Sequence, residues 1–115
     1  MMKDKIVLVP FPFDDLSSSK VRPAVCLTSE IQPYGHVVLA FITSQMQTNV
    51  SATDFVINNT DPDFITNGLK VSSTIRLHRL LTVSKMLIHR ELGTLSPKQR
   101  SEIDLRLMKL FEIKP

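Results

Sequence analysis

Two short segments concentrate the polar chemistry of this chain. Val21-Arg22-Pro23-Ala24-Val25-Cys26-Leu27 is a mostly apolar run with an arginine where it begins. Leu39-Ala40-Phe41-Ile42-Thr43-Ser44-Gln45 is a second such run, with hydroxyls where it finishes. Paired as an antiparallel hairpin, the start of one lies beside the end of the other. A guanidinium then faces a hydroxyl across the end of a sheet, an arrangement that grips a phosphate through charge-assisted hydrogen bonds. Each half also has a plainer reading: Arg22 as a solvated arginine at the start of a strand, and Thr43 and Ser44 as hydroxyls bonded to their own backbone. The pairing of the two sites favours function. So does the preceding loop, where Ser17, Ser18, Ser19 and Lys20 bring hydroxyls and a cation to the same edge. Arg76 alternates with Ile75 and Leu77 and so points away from them, toward a surface or groove. Arg79 is a further candidate.

Other chemistries find little support. His36, His78, His89 and the single Cys26 show no paired ligand spacing, so no metal site is expected. Asp14-Asp15 and Asp61-Pro62-Asp63 read as turn formers. Three dispersed glycines build no phosphate loop, and no G-x-S-x-G elbow is present. One cysteine makes no internal disulfide; in an apolar run it reads as a buried small hydrophobe. A net charge of +3 permits a polyanionic partner without demanding one. The apolar stretch after Met1-Met2-Lys3-Asp4-Lys5 is broken by Pro10 and Pro12, too early for a signal peptide or a membrane span. A cytoplasmic protein without membrane association is expected.

These residues need a sheet to position them. Ile6–Val9 reads as a strand, whose continuation Pro10 and Pro12 confine to a sheet edge or an exit into a loop. Further strands are expected over Arg22–Leu27, His36–Thr43, Thr53–Ile57 and Val71–Leu77, with turns at Ile31–Gly35 and Asn58–Gly68. Ser84 is placed to cap a short helix through Arg90, with Gly93 as its terminator. Ser96-Pro97-Lys98-Gln99 is a capping box opening a second helix, on which Ile103, Leu107, Leu110 and Phe111 share a face. With no repeat or linker, residues 1–115 read as one domain: mainly β, a small SH3-like antiparallel barrel with a C-terminal helix.

The run from Lys5 through Val25, with Pro10-Phe11-Pro12-Phe13 and the Arg22-Pro23 step, closely resembles the opening of MazF/PemK-type toxins of bacterial toxin–antitoxin pairs. Ile42-Thr43-Ser44-Gln45 resembles the family's second motif. Ser73-Thr74-Ile75-Arg76-Leu77 and the turn at Leu92-Gly93 and Leu95-Ser96 match its later pattern. One departure is Asp4-Lys5, where the family commonly opens with Gly-Asp. The resemblance implies a homodimeric endoribonuclease that cuts single-stranded RNA without metal or cofactor. It also implies a cognate antitoxin whose acidic C-terminal segment occupies the RNA groove. By motif position Arg22 and Thr43 carry catalysis; Ser17, Ser18, Ser19, Lys20, Ser44, Gln45 and Arg76 are assigned to RNA contacts. Phe11, Phe13 and Tyr34 are the aromatics on which splayed bases could stack. A gyrase-directed, CcdB-like toxin and a decayed RNA-binding barrel are the competing readings of the same fold.

Overall fold

Lys5–Pro10, Val21–Cys26 and His36–Thr43 are rich in β-branched residues and form strands β1, β2 and β3. They belong to a computed structural model that describes residues 2–10, 21–45 and 50–114. Strands β4 (Asp54–Ile57), β5 (Ser73–Ser84) and β6 (Arg90–Thr94) follow, then helix α1 (Pro97–Leu110). The six strands make one antiparallel sheet in the order β4-β5-β3-β2-β1-β6, curled into a half-barrel. Among the described residues no helix is long and apolar enough to cross a membrane. The expected loop at Ser17–Lys20 and the aromatics Phe11 and Phe13 lie outside the described residues.

Strand alternation builds a core on each face of the sheet. Val25, Ala40, Ile42, Ile75 and Leu77 face one core, which α1 covers with Ile103. Ala24, Cys26, Leu39 and Phe41 face the other, with Val7, Val9 and Val37. The central strands are therefore buried on both sides, which explains why they read as continuous apolar runs. The helix opens with the expected capping box: Ser96 Oγ accepts from Gln99 N at 3.1 Å, and Gln99 Oε1 accepts from Ser96 N at 2.9 Å. Phe111 corrects the expected apolar face. The helix ends at Leu110, Phe111 leaves helical geometry at φ −90° and ψ 2°, and its side chain is 55% exposed.

The expected helix over Ser84–Arg90 is also corrected. Strand β5 runs on to Ser84, because Val83 pairs with Val37 and Ser84 with His36. Ser84 does act as a cap, accepting from Met86 N at 3.2 Å, but only a single 3-10 turn at Lys85–Leu87 follows before β6. Pairing with β1 claims Arg90–Thr94 and overrides the local helix signal. Gly93 is thus no helix terminator but a strand glycine that lets another backbone come close. A Cβ there would stand 2.3 Å from Thr66 O, and one on Gly68 (φ +73°) would stand 2.0 Å from Leu92 O.

That close approach draws the two sheet edges together. A 3-10 turn at Ile65–Asn67, in the connection that leaves edge strand β4, lies on edge strand β6. Fully buried Asn67 locks it there, donating from Nδ2 to Thr94 O at 2.8 Å and to Gln99 Oε1 at 2.9 Å. Its Oδ1 accepts from Gln99 Nε2 at 3.1 Å. Asn67→Ala orphans these partners and should cost about 2–4 kcal/mol, since each buried unsatisfied group costs about 1–3 kcal/mol. Urea denaturation should show a lower midpoint at an unchanged slope; an unshifted midpoint would contradict this closure.

Burial pushes the Cys26 thiol up to about 11, with smaller contributions from Glu91 and Asp4. An unfolded thiol titrates near about 8.5, so the unfolded state loses its proton first as pH rises. The stabilising effect is complete below that value and is lost as pH climbs toward about 11. Cys26→Ala should flatten the alkaline fall of stability; parallel stability–pH curves for the two proteins would refute the buried thiol's part.

Candidate functional site

The register of β2 against β3 sets Ala24 opposite Phe41 and Val25 opposite Ala40. Extended by two residues, it brings Arg22 level with Thr43. Alternation puts Arg22 on the face of Ala24 and Cys26, and Thr43 on the face of Leu39 and Phe41, which is the same face of the sheet. Arg22 is exposed and Thr43 half-buried. Thr43 Oγ1 accepts from Gln45 N at 3.2 Å, so the local backbone bond anticipated for this hydroxyl does form. That contact uses an oxygen lone pair and leaves the hydroxyl proton uninvolved.

Strand β5 delivers the next cations through a break in its pairing. Ala40 pairs with Leu80 and Ile42 with Ile75, so residues 76–79 stand against Phe41 alone. Such an irregularity bends a strand and re-aims its side chains. Leu77 stays in the core beside Ile75, and Arg76 points to the opposite face, as alternation predicts. There Arg76 Nε lies 3.4 Å from Oδ1 of Asp54, its cross-strand partner on β4.

These pieces border one cavity of about 520 Å³ at a single end of the strands. Its walls take Arg22 and Pro23 from β2, Phe41–Thr43 from β3, and Ser44 and Gln45 beyond it. Ser73, Arg76 and Arg79 come from β5, and Arg90 and Leu92 from β6. The remaining wall is Leu8 with the Gly68–Val71 segment that Asn67 anchors. Five cationic side chains (Arg22, Lys70, Arg76, Arg79, Arg90) and no carboxylate border it among the described residues. A low-dielectric concavity with cations of one sign concentrates anions. Apolar Leu69, Val71 and Leu92 add surface suited to flat, partly apolar groups.

Of the residues singled out in the sequence, Arg22, Thr43, Ser44, Gln45 and Arg76 share this cavity, and Arg79 joins them. Ser17, Ser18, Ser19 and Lys20 lie outside the described residues. Tyr34 is not part of the site. It stacks on His36 at 5.6 Å, at the far end of β3 from Thr43, roughly 20 Å away at the usual strand rise. The sequence reading missed Lys70 and Arg90. Lys70 hid in a turn-rich stretch, and Arg90 in a segment expected to be helical.

Fold and site together define a small half-barrel carrying a cation-lined groove at one end of its strands. Residues 3–111 match the family described as PemK-like, MazF-like toxin of type II toxin-antitoxin system, and the chain belongs to that family. No curated protein matches its sequence. Among solved structures, it resembles an endoribonuclease in complex with its cognate antitoxin from a mycobacterial species (TM-score 0.74, 13% identity, covering 100% of this chain and 98% of that one). It also resembles the Mycobacterium tuberculosis toxin MazF-mt6 (TM-score 0.73, 21% identity, covering 96% and 99%). MazF from Deinococcus radiodurans is a third (TM-score 0.71, 15% identity, covering 96% of each chain). At these identities the structures speak to the fold, which is that of the MazF toxins.

An acid-free groove of this kind predicts salt-sensitive binding of single-stranded polyanions. If the five cations each displace a counterion, log K should fall with log[salt] at a slope near −3.5, at about 0.7 per phosphate. Arg90→Ala should lower the slope by about 0.7. A salt-independent affinity for a homopolymeric oligonucleotide would contradict the electrostatic reading of the groove.

Proposed function

We propose that this chain is the endoribonuclease toxin of a type II toxin–antitoxin pair, acting in the cytoplasm as a homodimer. It cuts single-stranded RNA, messenger RNA above all, at short sequences. It is silenced by a cognate antitoxin whose acidic C-terminal segment fills the same groove. The observation that carries the reading is the meeting of Arg22 and Thr43 in one cation-lined cavity of about 520 Å³. Family membership supports the toxin assignment. The likeness to an endoribonuclease solved with its antitoxin supports both the activity and the partner.

The chemistry needs no nucleophile from the protein. The substrate's 2′-hydroxyl attacks the adjacent phosphorus, and the 5′-oxygen of the next nucleotide leaves. The products are a 2′,3′-cyclic phosphate and a 5′-hydroxyl. Catalysis then consists of holding the attacking oxygen in line and stabilising the charge that grows on the non-bridging oxygens. Arg22 supplies that charge as a planar fork that takes two oxygens at once. Thr43 donates its hydroxyl proton to the same phosphate, held in place by the bond its oxygen accepts from Gln45 N. We assign contacts with the flanking nucleotides to Ser44, Gln45 and Arg76, together with Ser17, Ser18, Ser19 and Lys20.

Arg22 is exposed, so its removal should leave folding untouched. Purified protein should cleave a long single-stranded RNA with EDTA present, and Arg22→Ala and Thr43→Val should each slow cleavage by about 10²–10³-fold at an unchanged unfolding midpoint. Wild-type rates from Arg22→Ala would overturn the assignment.

A further inference from the structure

Asp54 is a carboxylate whose side chain has no access to solvent, one residue pair behind the wall of the groove. Burying a carboxylate is costly unless charge and hydrogen bonds compensate. Part of the compensation is local: Oδ2 accepts from Ser51 N at 3.1 Å, and Asp54 N donates to Ser51 O at 3.1 Å. A neutral asparagine would serve that turn equally well. The negative charge has another use, because Oδ1 stands 3.4 Å from Arg76 Nε and 3.9 Å from His78 Nδ1. Asp54 and Arg76 are direct cross-strand partners, and both point away from the core that Phe55, Ile57, Ile75 and Leu77 build. The approach is an ion pair rather than a hydrogen bond, since Asp54 Oδ1 and Arg76 Nε are both buried without a hydrogen-bond partner, and it holds the root of a side chain that lines the groove.

We infer that Asp54 is a positioning residue: it fixes the Arg76 guanidinium in the orientation that receives RNA. The inference rests on the RNA-binding reading of the groove. It makes a prediction opposite in sign to simple electrostatics. A negative charge behind an RNA groove should weaken binding, so its neutralisation alone would tighten the complex. If Asp54 works by pre-ordering Arg76, neutralisation frees a rotamer-rich side chain and binding weakens.

The test measures the affinity of a 2′-O-methylated, uncleavable single-stranded RNA by fluorescence anisotropy for wild type, Asp54→Asn, Arg76→Ala and the double variant. Asp54→Asn should bind about 3- to 10-fold more weakly, and its effect should vanish on the Arg76→Ala background. Arg76→Lys, which keeps the charge without the planar fork and leaves Asp54 in place, should lose affinity by a similar factor. It serves as the second variant should Asp54→Asn fold poorly. Unchanged or tighter binding by Asp54→Asn, an equal loss on both backgrounds, or full affinity in Arg76→Lys would overturn the inference. An arm without RNA separates it from the reading beneath it: the Arg76 Nε–H should exchange slowly with solvent by NMR in wild type and quickly in Asp54→Asn. If wild type binds no RNA, the proposed function fails. Slow exchange retained in Asp54→Asn overturns the Asp54 contact itself.

Discussion

The register of β2 against β3 is the constraint from which the rest follows. With Ala24 opposite Phe41, the two strands send Val25, Ala40 and Ile42 into one core and Ala24, Cys26, Leu39 and Phe41 into the other. A slip by one residue would exchange the faces of every side chain on one strand. Both cores would lose their fit at once. Because burial on two faces pins the register so firmly, the ends of the strands inherit their alignment without further cost. Arg22 and Thr43 come level because the apolar residues behind them have no alternative packing.

The groove is completed by segments far apart in the chain. Strand β5 serves two partners, β4 through residues 73–76 and β3 along most of its length, and its break in pairing turns Arg76 and Arg79 toward the site. The opposite wall depends on a polar lock. Asn67 joins the turn before Lys70 to β6 and to the cap of α1, and two glycines let the backbones meet closely enough for those bonds to form. Stability and site geometry therefore share residues. The buried amide pair of Asn67 and Gln99 holds the closure, and the same closure places Lys70 and Val71 at the groove.

Much of this was legible in the sequence where one physical rule dominated. Apolar runs rich in valine and isoleucine gave β1, β2 and β3, and the capping box gave the start of α1 almost to the residue. That Arg22 and Thr43 end up beside one cavity was legible because antiparallel pairing sets the start of one apolar run beside the end of the other. What failed was decided by contacts distant in sequence. Ser84 carries a genuine cap, yet pairing with β1 and β3 converts the surrounding residues to strand. Gly93 reads as a helix stop until Thr66 is seen to press against it. Phe111 lies one residue past the helix end, beyond the reach of periodicity. Asp54 and Arg76 are unrelated in sequence and become partners only through the β4–β5 ladder.

One measurement bears on the central claim more directly than any other. An RNA oligonucleotide carrying a single mapped cleavage position can be remade with 2′-deoxyribose at the nucleotide on the 5′ side of that bond alone. A phosphate held between Arg22 and Thr43 and attacked by its own neighbouring hydroxyl predicts that this one oxygen deletion abolishes cleavage while binding persists. Cutting of the deoxy-substituted strand at the same bond and at a comparable rate would contradict the account, because the nucleophile would then have to come from elsewhere.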